Sequence, residues 1–313
     1  MAQCIDSLPW IEKYRPTTID DVILSETNYL LFHNIIKFNY VPNILVYGPP
    51  GTGKTTTIMN LIIEYQKKND CQSKELVIHL NASDDRGIDV IRNQIQQFVK
   101  SQPLFLKGPK FIILDEVDYM TKNAQQALRH LIQEYNTNVR FFLICNYISK
   151  IDSNLQTEFL KIKMNSLPEE KIIDFLQNIV VCENLSLSRE KLQQIQKNYH
   201  SDVRSMINFI QTKQNDLDIQ IITNEVWKDF FNVLDQPEKL SEKIINISNT
   251  YNIDKKSIIK TFLNYMITEE PQCITTDFLT FVEMIIHSNV KTIYTINYFI
   301  ENINQYKINI KSI

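Results

Sequence analysis

Eight consecutive residues, Gly48-Pro49-Pro50-Gly51-Thr52-Gly53-Lys54-Thr55, satisfy the spacing G-x-x-x-x-G-K-[ST] in full. The chain has five glycines, and three of them fall in this stretch, which marks it as the first place to look for chemistry. A glycine-rich loop can turn successive backbone N–H groups toward one point, and a helix that starts there adds its positive end. The chemistry this suits is the cradling of a nucleoside triphosphate, with Lys54 reaching the β- and γ-phosphates and Thr55 ligating Mg²⁺. Thr56 completes the loop. Further along, Phe111-Ile-Ile-Leu-Asp115-Glu116 delivers two adjacent carboxylates at the end of an apolar run. Asp115 would hold the metal shell, and Glu116 would polarise an attacking water as general base. Asn146, closing the run Arg140-Phe-Phe-Leu-Ile-Cys145, could orient the same water through its amide. Arg204 could reach the γ-phosphate from a later helix.

These residues need a scaffold, and the hydrophobic pattern supplies one. Asn43–Tyr47, Glu75–Leu80, Lys110–Leu114 and Arg140–Cys145 are short apolar runs of the kind that form buried parallel strands. Between them, helical spacing predicts helices over roughly Glu26–Phe38, Gly53–Lys67, Val90–Lys100 and Ala124–Tyr135. Strands alternating with helices predict an α/β P-loop domain, a parallel sheet with helices on both faces. Ligand sites in such sheets lie at the carboxyl ends of strands, where the loop at Gly48–Thr55, Asp115, Glu116 and Asn146 fall. The strands stop near Lys163, and only helical periods follow Pro168. The expected boundaries leave an α/β domain at 1–165, a helical segment at 166–222 and, past a softer break near Asp216–Asn224, a final all-helical block at 223–313.

Composition narrows the class. A chain of 313 residues with 43% hydrophobic and 22% charged residues fits a globular protein with a sizeable core. No run of 18 or more apolar residues occurs, and Met1–Pro9 lacks the basic start and apolar stretch of a secretory signal. Five scattered cysteines without a CxxC pair argue against zinc and against a disulfide framework, and they suit a reducing, intracellular compartment. The net charge of −3 does not by itself advertise nucleic-acid binding, so a DNA-binding role needs a local basic face.

Several boxes carry a family resemblance. Trp10-Ile-Glu-Lys-Tyr-Arg-Pro16, the loop at Gly48–Thr55, Leu80-Asn-Ala-Ser-Asp-Asp-Arg-Gly-Ile88, LDEVDYMT, LICN and Ser201-Asp-Val-Arg204 resemble the ordered boxes of the AAA+ clamp-loader small subunits, the replication factor C family. The likeness is closest over residues 8–150, weaker to about 213 and thin beyond. It implies that the three segments are a RecA-like ATPase domain (1–165), a small helical lid (166–222) and an all-α collar (223–313) through which subunits assemble as a hetero-oligomer, expected to be a pentamer. It implies ATP and Mg²⁺ as cofactors. The partners implied are a PCNA-type sliding clamp and primed double-stranded DNA, within a nucleus or other replication compartment. By the same resemblance, Tyr14, Arg15, Pro16 and Val22 border the adenine, while Asn146 and Arg204 match the two sensor positions. Arg86 and Lys122 would face DNA phosphates. The helix face of Ile91, Ile95 and Phe98 would meet the clamp, although the same spacing serves core packing equally well.

Two departures stand out. Family members usually carry Ser-Arg-Cys after the first sensor, with the arginine reaching into the neighbour's ATP site. Here the aligned residues are Thr157-Glu158-Phe159. Unless Lys161 or Lys163 takes over, this chain should not activate the neighbour that faces Glu158, and it should depend on a hetero-oligomer for its own turnover. The family's ALRR helix also reads Ala127-Leu-Arg129-His130. An alternative function is an ATP-binding structural subunit with little hydrolysis. A third, an origin-licensing or branch-migration ATPase, usually appends a winged-helix domain, for which the tail after Asn224 has no pattern.

Overall fold

The computed structural model describes residues 8–83, 88–101, 108–135, 137–164, 167–214, 222, 224–251, 253–287 and 292–308, without the side chains of 88–92 and 308. The chain forms two compact units, residues 1–215 and 216–313. In the first, five parallel strands stand in the order β2-β3-β4-β1-β5. They are β1 (Ile44–Tyr47), β2 (Val77–Asn81), β3 (Lys110–Asp115), β4 (Val139–Cys145) and β5 (Leu160–Lys163). Glu75 and Leu76, read from the sequence as the start of β2, belong instead to a 3₁₀ turn (Lys74–Leu76) whose N-cap Ser73 accepts from the Glu75 N–H.

Side chains alternate across a strand, so one apolar run feeds both faces of the sheet. On one face, Ile44, Val46, Phe111, Ile113, Phe142 and Ile144 pack with Phe32 and Ile35 of α2 (Glu26–Lys37) and Ile58, Leu61 and Ile62 of α3 (Lys54–Lys68). On the other, Leu45, Ile112, Leu114, Phe141 and Leu143 pack with Ile95 of α4 (Ile88–Lys100) and Leu128, Leu131 and Ile132 of α5 (Lys122–Tyr135). Ile95 is fully buried there. The expectation that it meets a clamp is therefore corrected: the apolar stripe of α4 faces the sheet at this position. Phe98 is half-buried against the same core, and the side chain of Ile91 lies outside the described residues.

A short N-terminal helix, α1 (Trp10–Lys13), precedes these elements, and α6 (Ser153–Gln156) leads into β5. Three helices complete the unit: α7 (Glu169–Cys182), α8 (Arg189–Tyr199) and α9 (Val203–Thr212). Ser188 and Asp202 cap α8 and α9 by accepting from the N–H groups of Lys191 and Ser205. The second unit is helical throughout its described residues: α10 (Asn224–Asn232), α11 (Pro237–Tyr251), α12 (Lys255–Glu269), α13 (Thr276–His287), α14 (Thr292–Asn302) and α15 (Asn304–Ile308). Trp227, Phe230, Phe262, Phe278, Phe281 and Phe299 form its aromatic core. No helix among the described residues is long and apolar enough to cross a membrane.

Candidate nucleotide site

The strand order brings β3, β4 and β1 side by side, so Asp115, Asn146 and the loop after Tyr47 converge at one edge. The loop's shape depends on its glycines. Gly48 has φ +151°, and a Cβ there would lie 2.0 Å from the Met164 carbonyl oxygen. Gly51 has φ +73°, and its Cβ would meet Asp202 Oδ1 at 1.8 Å. Gly53, the N-cap of α3, is left-handed with φ +80°. Thr52 is buried, and its hydroxyl donates to the Pro49 carbonyl at 3.0 Å. The first N–H groups of α3 have no acceptor within the helix, which is the usual provision for an anion.

Lys54 is buried, and its ammonium donates to the carbonyls of Gly48 (2.9 Å) and Pro49 (2.7 Å) and to Asn146 Oδ1 (2.9 Å). Burial pulls its pKa below the ordinary lysine value, against the opposing attraction of Asp115. A polyphosphate in the cleft would push it back up. Thr55 donates its hydroxyl to Asp115 Oδ2 at 2.7 Å. Burial works against the Asp115 charge, but hydrogen bonds from His79, Thr55 and the Glu116 N–H together hold the carboxyl below its usual value. His79, with Nε2 3.7 Å from Asp115 Oδ2, had no signal in the sequence. Burial, reinforced by the Asp118 charge, raises the Cys145 thiol to about 12, so it stays neutral and inert beside the cleft.

Glu116 is one of five non-glycine residues with positive φ among the described residues (+56°), a strained conformation of the kind that collects at functional sites. It lines a cavity of about 220 Å³ together with Gly51–Thr56, Asp115 and Asn146. Tyr14, Arg15, Pro16 and Val22 form a second part of the wall, and Leu167, Phe175, Arg204 and Ile207 a third. The structure thus brings together every nucleotide-site residue read from the sequence except Gly48 and Pro49, whose carbonyls instead anchor Lys54. Arg204 is exposed, with no hydrogen bond or ion pair among the described residues. The donor set fits Mg²⁺, which takes one or two carboxylates plus substrate phosphates and keeps several waters. Thr55 and Asp115 supply one hydroxyl and one carboxylate at the cavity wall.

Other expected sites fare differently. Lys122 is exposed at the first position of α5, while Arg86 lies outside the described residues. Glu158 is turned onto its own subunit: Oε1 accepts from Gln133 Nε2 at 2.7 Å and from Arg129 Nε at 3.3 Å. Lys161 and Lys163 are exposed on β5 at the end of the sheet. Sequence reasoning missed Glu183, whose carboxylate accepts from both Lys13 and Tyr14.

Residues 44–166 match the sequence model described as "ATPase family associated with various cellular activities (AAA)". Thermotoga maritima RuvB, titled a Holliday junction branch migration motor, aligns with a TM-score of 0.52 at 14% identity, covering 82% of this chain and 80% of that one. At that identity the likeness speaks to fold alone. The fold is the AAA+ P-loop fold. Nearer in sequence, the chain is 41% identical over 213 residues to replication factor C subunit 3 of Saccharomyces cerevisiae, covering 68% of this chain and 62% of that one. It is 40% identical over 208 residues to replication factor C subunit 5 of Homo sapiens (66% and 61%). It is 39% identical over 211 residues to replication factor C small subunit 2 of Pyrobaculum islandicum (66% and 64%). The resemblance to the clamp-loader small subunits therefore holds over about two thirds of this chain. In turn, the chain spans a little over 60% of the length of these curated relatives.

Proposed function

We propose that the protein is an ATP-hydrolysing subunit of a clamp loader of the replication factor C type. The observation that carries this is the convergence of Lys54, Thr55, Asp115, Glu116 and Asn146 on one cavity that Arg204 overlooks. In the cleft, Lys54 would neutralise the β- and γ-phosphates, and Thr55 with Asp115 would hold Mg²⁺, which would supply further positive charge to the phosphate oxygens. Glu116 takes the proton of the attacking water, and Asn146, already bonded to Lys54, orients that water. Arg204 reports the γ-phosphate to the lid. The domains of this reading are an ATPase domain (1–165) and a lid (166–222), which together run past the first unit's end at 215, and a collar (223–313) that mediates assembly with other subunits, in a pentamer.

In that assembly ATP binding opens a PCNA-type clamp, and hydrolysis leaves it on primed DNA in the nucleus or another replication compartment. Arg86 and Lys122 contact DNA phosphates, and Phe98 with Ile91 remains the candidate clamp contact on α4. The Glu158–Arg129 pair favours one qualification: the finger position holds a carboxylate paired within its own subunit, and that residue offers a neighbour no cation. The test is to assemble the chain with replication factor C-type partners and a clamp, and to measure ATPase with and without primed DNA. Glu116→Gln in this subunit is expected to keep nucleotide binding and lose this subunit's share of turnover. Parent-level turnover at this site would remove Glu116 as the base and leave the reading without its chemistry. Loss of turnover with the clamp still loaded would favour the structural-subunit alternative.

A further inference from the structure

We infer that His79 on β2 is a positioning residue for the metal: it holds the Asp115 carboxylate in the pose in which Asp115 and Thr55 can serve Mg²⁺. This rests on the proposal that the cleft takes ATP with Mg²⁺, and it adds a residue from the neighbouring strand to that site.

The sheet register sets the geometry. β2 and β3 run parallel, with Asn81 opposite Asp115 and His79 opposite Ile113. Positions two apart on a strand share a face, so Asp115 lies on the face of Ile113, which packs with the apolar residues of α3. Thr55 stands in the first turn of that helix. Three groups meet the carboxylate there. The Thr55 hydroxyl donates to Oδ2 at 2.7 Å, the Glu116 N–H donates to Oδ1 at 2.9 Å, and His79 Nε2 lies 3.7 Å from Oδ2. Asp115 and Thr55 line the cavity and His79 does not, so His79 can act on a ligand only through Asp115.

Core packing does not explain His79. Its side chain is 40% exposed, and among the described residues Asp115 is the polar group it faces. Burial works against the charge of Asp115, and His79, Thr55 and the Glu116 N–H offset it. Neutral or protonated, an imidazole can present an N–H at Nε2, so the contact does not depend on the charge of the ring. At 3.7 Å it is long, and long contacts at reacting groups tighten when the complex forms.

The consequence is for metal affinity. Donors to a ligating carboxylate fix its orientation, and losing one typically costs about 10–100-fold in metal affinity. Lys54 and the N–H groups of the loop meet the phosphates without His79. Its loss should therefore separate the metal-dependent part of nucleotide binding from the metal-free part.

The experiment titrates the full chain with a fluorescent ATP analogue, once in EDTA and once across a Mg²⁺ series. The parent is expected to bind more tightly with Mg²⁺. His79→Leu should raise the Mg²⁺ concentration for half of that gain about tenfold and leave the affinity in EDTA unchanged. His79→Gln, which keeps an N–H donor, should recover most of the loss. His79→Glu, which sets a like charge beside Asp115, should do worse than His79→Leu. Mn²⁺ in place of Mg²⁺ gives a second readout, since its paramagnetic resonance signal reports free metal, and the same order of variants is expected. A strand that is merely loosened would weaken binding equally in EDTA. Should His79→Leu fail to fold, His79→Gln against His79→Glu carries the same comparison. An unchanged Mg²⁺ requirement in His79→Leu, equal losses with and without metal, or no advantage of glutamine over leucine overturns the inference. A parent indifferent to Mg²⁺ overturns it too, while sparing the phosphate site. A parent that binds no nucleotide overturns the proposed function with it.

Discussion

Gly51→Ala is expected to separate Asp202 from the phosphate loop and carry Arg204 away from the cleft. Gly51 has φ +73°, and a side chain in the left-handed region costs roughly 1–2 kcal/mol. The new Cβ would lie 1.8 Å from Asp202 Oδ1, 2.6 Å from its Cγ and 3.1 Å from its Cα, so the carboxylate must swing out. That carboxylate caps α9, accepting from the Ser205 N–H at 3.1 Å and the Ser205 hydroxyl at 2.7 Å. Losing a cap costs about 0.5–2 kcal/mol. The sum is about 1.5–4 kcal/mol against the observed arrangement, or roughly tenfold to a thousandfold in its population. Arg204 is two residues from Asp202 and follows it. The assay is ATP affinity by calorimetry beside thermal unfolding, for Gly51→Ala alone and combined with Asp202→Gly. Glycine is a tolerable N-cap and removes the clashing atoms, so the double variant should recover the steric part and keep the backbone part. Parent-like affinity and melting in Gly51→Ala, or no recovery in the double variant, would refute the reasoning.

Lys122→Ala should weaken DNA binding by the assembled complex alike on all sequences and flatten its salt dependence by about one unit of slope; a changed sequence preference would contradict a phosphate contact. Asp115 is held below its usual carboxylate value, so its contribution to stability is complete above about pH 4 and fades as pH falls through the lowered value. The destabilisation of Asp115→Asn relative to the parent, read by urea unfolding, should therefore be larger at pH 6 than at pH 3, and an equal difference at both would speak against the shift. Glu158→Arg puts a second guanidinium beside Arg129, a repulsion of about 1 kcal/mol at a water-exposed separation of ~4 Å. That variant should lose a little thermal stability yet raise the ATPase of the neighbour facing it, within the ~10³–10⁵ worth of a finger; no gain in the neighbour would place the finger elsewhere.

The parts of the site that follow from short, contiguous spacing were legible in the sequence. The loop from Gly48 to Thr55, the Asp115-Glu116 pair and Asn146 each sit at a strand end, and alternating apolar runs located the strands. What required the structure were contacts between residues far apart in the chain. Glu183 and Lys13 are separated by 170 positions, and nothing near Glu183 marks it. His79 lies in an ordinary strand, and only the pairing of β2 with β3 brings it to Asp115. Glu158 was legible as a departure, but its hold on Arg129 and Gln133 depends on how α5 meets the segment after α6. Ile95 shows the opposite failure: helical periodicity names an apolar face without saying what covers it, and here the sheet does.

The proposed function stands on the cavity at the ends of β1, β3 and β4 being an ATP site held by Lys54. Its most direct test is calorimetric titration of the isolated chain with ATP and Mg²⁺, beside Lys54→Ala. Saturable binding at one site is expected for the parent and none for the variant, because removing the buried lysine of the loop leaves the β- and γ-phosphates uncompensated in a partly dry cleft. A parent that binds no ATP at millimolar concentration, or a variant that binds as tightly as the parent, would contradict it.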